Sequence, residues 1–316
     1  MTKDYLVRAT AAGNQMRCIS AITTNLVSEA CRRHRTMPTA SVALGRTLTG
    51  TLLLGASFKD LERITVRFDC DGPIGQITAQ ADAHGNTRGY VTNPEADATV
   101  MNALGKFDVR AIVGGGTLHV QREIGAEIGL SKEPYSGSVP IVSGEIGYDF
   151  AYYLAQSEQI NSALSLGVFI KINTLEEMQQ IESSDLTEFE RNHLQVTAAG
   201  GFLIQMMPDT NDEVIAYLEQ RLATILSPTE MIQEGLSAAD MLRSALGDLD
   251  VMVLDEREPR FQCKCSAERA RKIISSIARE EIQDMLEKDN GAKLICHYCN
   301  ETYEISGEEL KAMLVE

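Results

Sequence analysis

The chain has 316 residues, 44% of them hydrophobic and 5% aromatic, with no tryptophan and a net charge of −16. That length suits two domains of about 100–200 residues each, and the apolar content is enough for a buried core. The charge is uneven: residues 1–172 are neutral, 173–231 carry −9 and 232–316 carry −7, a balance that repels phosphate backbones and argues against nucleic acid as a general partner.

The opening segment, MTKDYLVRATAAGNQ, holds no apolar run of signal-peptide length. The longest apolar-rich stretch, Ala40–Phe58, contains Arg46 and several Thr, Ser and Gly residues. It reads as a buried helix rather than a membrane span, which needs about 20 mostly apolar residues. A cytoplasmic protein with no membrane partner is expected. In a reducing cytosol, paired cysteines point to metal or redox chemistry rather than permanent disulfides.

The first 172 residues read as α+β. Tyr5–Ala11 and Met16–Ile22 flank Gly13-Asn14, a hairpin signal. Asn25–Arg35 reads as a helix closed by Met37-Pro38, and Thr39–Ser57 as a second, largely buried helix. Arg63–Phe68 alternates as a strand; Ile74–Ala81 and Thr87–Val91 flank His84-Gly85-Asn86, a further hairpin. Thr117–Arg122 follows a triple-glycine turn, Gly144–Gln156 is predicted helical and Leu164–Ile172 extended.

Thr174-Leu-Glu-Glu177 has the capping-box pattern and opens an acidic stretch, Glu176–Glu190, with few apolar residues to dock it. Thr210-Asn-Asp-Glu213 opens a stronger helix with Val214, Leu218, Leu222 and Ile225 on one stripe, and Ser227-Pro-Thr-Glu230 starts another. Ser237 to Gly247, Ala267–Ile277 capped by Ser266, Glu280–Lys288 and a last helix opened by Ser306-Gly-Glu-Glu309 follow. Lys293–Ile295 and Thr302–Ile305 read as a hairpin.

Four of the seven cysteines form Cys263-x-Cys265 and, after a gap of 30 residues, Cys296-x-x-Cys299. Zinc takes four soft ligands at tetrahedral corners, and two such pairs complete that sphere with no open position. One structural Zn2+ per chain is expected at Cys263, Cys265, Cys296 and Cys299. His297 could replace one sulfur, but it lies between two cysteines where its ring competes for space. A thioredoxin-like dithiol at Cys296–Cys299 normally needs a βαβ context, and here the pair sits between two short strands. Cys18 and Cys31 read as small buried hydrophobes, and Cys70, in Asp69-Cys-Asp-Gly72, does not complete a calcium loop.

A small module around one cysteine cluster buries little, and structural zinc can supply on the order of 10 kcal/mol of folding free energy. Zinc-bound thiolates remain oxidisable. The expectation is a switch in which oxidation forms Cys263–Cys265 and Cys296–Cys299, the metal leaves and the module unfolds. Cys296–Cys299 is expected first because its ring is less strained.

These residues resemble a known family, the redox-regulated thirty-three-kilodalton heat-shock chaperones, which are zinc-dependent holdases. Phe261-Gln-Cys263-Lys-Cys265-Ser266 and Cys296-His-Tyr-Cys299-Asn300, followed by Tyr303, resemble its zinc motif. Gly72-Pro-Ile-Gly75, Arg88-Gly-Tyr90, Tyr135-Ser-Gly137, Tyr152-Tyr-Leu154 with Ser157-Glu-Gln159, and Gly200-Gly-Phe-Leu-Ile-Gln205 with Pro208 resemble further blocks in order. The resemblance implies a non-enzymatic, ATP-independent chaperone that binds unfolded or partly folded client proteins under oxidative stress. It also implies a homodimer when active, and an inactive form that is reduced and zinc-bound.

The expected architecture is α+β: a mixed core over 1–173 that binds clients, an acidic helical linker over 174–235, and a zinc-bound redox-switch domain over 236–316. Two other classes compete. A zinc-ribbon adaptor for RNA or protein would carry basic and aromatic residues at the knuckle, yet Lys293 is the one basic residue within five positions of Cys296. A thiol oxidoreductase would keep its fold through the catalytic cycle.

Overall fold

A computed structural model describes residues 3–58, 62–98, 101, 106–124, 134–172, 195–208 and 210–315. The chain divides into two compact units, Met1–Phe261 and Gln262–Glu316.

The larger unit is built on two sheets. In chain order it comprises β1 (Tyr5–Ala11), β2 (Met16–Ile22), α1 (Thr24–His34), α2 (Pro38–Gly55), β3 (Glu62–Cys70), β4 (Gln76–Asp82), β5 (Asn86–Val91) and α3 (Val109–Val113). Then come β6 (Gly116–Ile124), β7 (Tyr135–Pro140), α4 (Ile146–Gln156), β8 (Ser162–Lys171) and β9 (Gln195–Met206). It closes with α5 (Asp212–Leu222), α6 (Pro228–Gln233), α7 (Ala238–Leu246), β10 (Val251–Arg257) and β11 (Arg260–Phe261). One sheet has five strands in the order β10-β1-β2-β9-β8; the other has six in the order β11-β5-β4-β3-β6-β7. All pairings are antiparallel except β11 with β5.

The predicted hairpins form with the expected partners. The β1–β2 turn places Ala12, Gly13 and Asn14 at positive φ, which Gly and Asn tolerate best. Helix α2 is apolar all round: every one of its residues except Arg46 is buried, and it shares one core with strands of both sheets. Its buried hydroxyls are satisfied locally, Thr47 and Thr51 donating to the carbonyls of Ala43 and Thr47 and Thr23 meeting Thr49 at 2.7 Å. At Gly50 a Cβ would lie 2.6 Å from the Phe150 ring, so only glycine allows α2 and α4 to pack this closely.

Three expectations are corrected. First, the span 174–235 is not a helical linker throughout, because Gln195–Met206 is a twelve-residue strand between β2 and β8. It is covered on both faces, so it reads as a continuous small-and-apolar run without the alternation that marks a half-exposed strand. The acidic stretch Glu176–Glu190 and its Thr174 box lie outside the described residues. Second, the boundary at 235/236 moves to Phe261/Gln262. Met241, Leu242, Ala245 and Leu246 of α7 join the core beneath β1 and β2, and β10 pairs with β1 from Leu6↔Arg257 to Ala11↔Val251. Third, Asn211 rather than Thr210 caps α5, accepting the N–H of Glu213, while Thr210 donates to the carbonyl of Gln15 at 2.7 Å. The boxes at Ser227 and Ser237 form as expected.

Asp4 is 4% exposed and accepts the N–H groups of Asn25 (2.9 Å) and Leu26 (2.7 Å), capping α1 from outside the helix. Burial outweighs these hydrogen bonds and pushes its carboxyl up to about 6 from 3.8. With the folded value raised, the folded state binds more protons between these limits. The stabilising contribution is full below the unfolded pKa and is lost as pH rises through about 6. Relative to Asp4→Asn, the wild type is expected to gain about 2 kcal/mol of unfolding free energy between pH 7 and pH 4. Urea titrations at each pH test this, and identical pH slopes in the two proteins would refute it.

The smaller unit comprises α8 (Ala267–Ser275), α9 (Arg279–Asp289), β12 (Gly291–Ile295), β13 (Thr302–Ser306) and α10 (Gly307–Val315). The strands pair from Gly291↔Ser306 to Ile295↔Thr302. Its fully buried apolar side chains are few: Ile274, Ile282, Ile305 and Leu310 form the centre of its core.

Candidate metal centre

The four predicted cysteines converge. Cys263 and Cys265 sit on the extended segment before α8, whose first turn is capped by the Ser266 hydroxyl accepting the N–H of Arg269. Cys296 directly follows β12. Its N–H still bonds the carbonyl of Glu301 at 2.9 Å, so the hairpin ladder delivers it to the turn. The Cys296 carbonyl then accepts the N–H groups of Cys299 (3.3 Å) and Asn300 (2.7 Å), and Asn300 adopts φ +57°, which folds the Cys-x-x-Cys segment back on itself.

All four sulfurs lie within 4.8 Å of one another. Sulfurs of the two segments touch: Cys263 lies 3.7 Å from Cys296 and Cys265 lies 3.3 Å from Cys299. Tetrahedral sulfurs about 2.3 Å from one ion are about 3.8 Å apart, so the cluster is the size such an ion requires. His297 is not among the converging ligands.

The electrostatics fit a cation. Burial pushes the Cys296 and Cys299 thiols up, while the backbone N–H groups of Tyr298 and Glu301 oppose that by favouring the respective thiolates. The Tyr303 hydroxyl donates to the Cys265 sulfur at 3.0 Å, and this bond holds the phenol in its protonated form. Soft anionic ligands, backbone donors aimed at two of them and a hydroxyl on a third make a closed four-sulfur centre that could hold a metal ion. Tyr303 is the contribution that spacing alone does not reveal. The family resemblance places it beside the zinc motif, but its hydrogen-bond partner comes from 38 residues earlier.

The other cysteines stay apart. Cys18 and Cys31 are buried in the larger unit, as expected; burial pushes the Cys18 thiol up to about 12 and also raises that of Cys31. Cys70 is half-buried, and burial followed by Asp69, Asp149 and Asp71 pushes it up to about 12. All three are poor nucleophiles near neutral pH.

A double-sheet α+β body followed by a small unit with a four-thiol centre that could hold a metal ion defines a two-unit protein. The chain belongs to the Hsp33 protein family, whose family-wide pattern matches residues 4–306. It is 41% identical to the 33 kDa chaperonin of Staphylococcus carnosus, covering 100% of this chain and 99% of that one. It is 42% identical to the 33 kDa chaperonin of Bacillus subtilis, covering 98% of each. The crystal structure of the 33 kDa chaperonin (heat shock protein 33 homolog) from Thermotoga maritima superposes with a TM-score of 0.85 at 31% identity, covering 99% of this chain and 98% of that one. No helix among the described residues is long and apolar enough to cross a membrane.

Proposed function

We propose that this protein is a redox-regulated, ATP-independent holdase that binds unfolding proteins and prevents their aggregation under oxidative stress. The convergence of four thiols within 4.8 Å carries the reading, and the chaperonin names of its relatives support it. Zinc would be held by Cys263, Cys265, Cys296 and Cys299, and when bound it supplies a charge that keeps four thiolates together in a unit with little core.

In the switch, each pair of thiolates gives two electrons to peroxide, which takes two protons from solvent and is reduced to two waters as one S–S bond forms. A sulfur in a disulfide is no longer an anionic ligand. Sulfurs of the two segments touch in the folded cluster, yet pairing within segments is favoured once the unit loosens. Cys263–Cys265 and Cys296–Cys299 then close very short loops, whereas cross-segment pairs close loops of more than 30 residues at greater entropic cost. The reduced, metal-bound form is the inactive one. Met1–Phe261 supplies the client surface, the protein acts in the cytoplasm without catalysing a reaction, and its active form is a homodimer that binds neither nucleic acid nor membrane.

The experiment compares suppression of aggregation of a heat-unfolded client by the reduced zinc-loaded protein and by the peroxide-treated protein, with zinc release followed by a chromogenic chelator. Activity appearing together with zinc release is expected; equal activity in both states would sink the switch. Disulfide mapping by mass spectrometry is expected to find the within-segment pairs, and a dominant Cys263–Cys296 link would refute that pairing.

Removing the Tyr303 hydroxyl isolates its contribution. Tyr303→Phe is expected to weaken zinc affinity by about tenfold, the low end for a group that supports a metal ligand through a hydrogen bond. Competition with a chelator measures it. Unchanged affinity would show that the hydroxyl does not stabilise the Cys265 thiolate.

A further inference from the structure

The larger unit contains a cavity of about 350 Å³ that the switch does not use. Its walls include Val42 and Arg46 of α2, Leu166, Val168 and Ile170 of β8, and Phe107. Its size falls within the range of about 300–1,000 Å³ typical of small-molecule sites. Met101, Phe169 and Ile172 line it while remaining 49%, 46% and 51% exposed, so it opens to solvent on that side.

The charged groups lining it among the described residues are Arg46 and Lys106, both cationic. Arg46 is the single residue of α2 that is not buried outright, and its side chain is still only 16% exposed. One guanidinium nitrogen donates to Glu145 at 2.6 Å. The Nε of the same group is buried and has no hydrogen-bond partner among the described residues. A buried guanidinium N–H left unpaired is costly, and burying a charge is tolerated best when all its donors are used. Glu145 balances Arg46 and Glu230 faces Lys106, but neither acid lines the cavity. An occupant would therefore meet apolar walls, two cations and the hydroxyl residues Ser227 and Thr229.

Two glycines set how closely the elements around the cavity meet. Gly45 lets β8 approach α2, since a Cβ there would lie 2.9 Å from the Val168 side chain, and at Gly167 a Cβ would lie 2.7 Å from the Thr229 methyl. The elements therefore meet at these glycines, and the volume lies beside those contacts rather than being closed by larger side chains.

We infer that this cavity binds a small amphiphilic anion, an aliphatic carboxylate whose chain lies against Val42, Leu166, Val168 and Ile170 and whose head group pairs with Arg46. The inference is independent of the cysteine centre.

Calorimetric titration of the full, reduced, zinc-supplemented chain with decanoate tests it, using decylammonium and decanol as charge controls below their micelle concentrations. One decanoate per chain is expected, bound at least tenfold more tightly than either control. Arg46→Gln is expected to weaken decanoate at least tenfold, and Val168→Phe, which fills the volume, to abolish it. Because Arg46→Gln also removes the Glu145 pair, thermal melting checks its fold. Lys106→Gln, at an exposed position, provides a variant that leaves the core intact and is expected to weaken binding about threefold. Equal affinity for decanoate and decylammonium, or decanoate binding undisturbed in Val168→Phe, would overturn the assignment. So would an apolar peptide with a free C-terminal carboxylate that binds more tightly than decanoate, since it would give the cavity to chain ends.

Discussion

Chelation of zinc from the reduced protein is expected to unfold Gln262–Glu316 while Met1–Phe261 keeps its fold. The asymmetry follows from the two cores. The larger unit buries an extensive cluster spanning both sheets, whereas the smaller one centres on Ile274, Ile282, Ile305 and Leu310. A core of that size supplies at most about 3–5 kcal/mol, which chain entropy offsets. The metal supplies on the order of 10 kcal/mol at neutral pH, so its loss exceeds the whole stability of the unit. The cysteines also join distant parts of the sequence, since Cys263 and Cys265 precede α8 and Cys296 and Cys299 lie beyond α9.

Cys296→Ser is expected to reproduce this in the absence of chelator, because one lost thiolate opens the coordination sphere. Hydrogen exchange read by mass spectrometry checks both cases. Amides of β12, β13 and α10 should lose protection while those of β1, β2 and α2 retain it. Retained protection in the small unit after complete metal removal would show that its apolar core is sufficient by itself.

Phe150→Ala is expected to destabilise the larger unit by about 3–5 kcal/mol, the range for deleting a fully buried aromatic ring. Phe150 is 0% exposed and meets Phe68 edge to face, with centroids 5.5 Å apart and planes at 78°. Its other side rests on Gly50 of α2, where there is no side chain to relax into the space. Collapse is thus restricted, and the cost belongs near the upper end. Domains typically have only about 5–15 kcal/mol in total, so the shift in urea midpoint should be large. Phe169→Ala, at a position 46% exposed, serves as the contrast and is expected to change stability by about 0.5 kcal/mol or less. Zinc affinity should be the same in both variants, because Phe150 belongs to the core of the larger unit alone; a loss in Phe150→Ala would mean that the two units fold as one.

The elements that sequence made legible share a physical basis. Local signals of hairpins, caps and half-exposed alternation act within a few residues, and β1, β2, α2, β4, β5, the boxes at Ser227 and Ser237 and the terminal hairpin all form as read. The strand β9 was hidden because both of its faces are covered, which removes alternation. Strand β10 was hidden because its identity depends on a partner about 245 residues away. The charge-based linker boundary misled for a related reason: composition reports what faces solvent, whereas α7 and β10 are assigned to the larger unit by their apolar sides.

The same division runs through the site. By itself the sequence determined which four sulfurs form the centre and that they suit one closed tetrahedral ion, because ligand spacing is a property of short chain segments. Only the tertiary structure decided that the segments actually meet, that sulfurs of one touch sulfurs of the other, and that Tyr303 supports Cys265. It also decided that Arg46, an ordinary helical residue in sequence, lies beside an open cavity with a buried donor that has no partner among the described residues. These are consequences of long-range packing, and neither periodicity nor spacing encodes which side chain will face which.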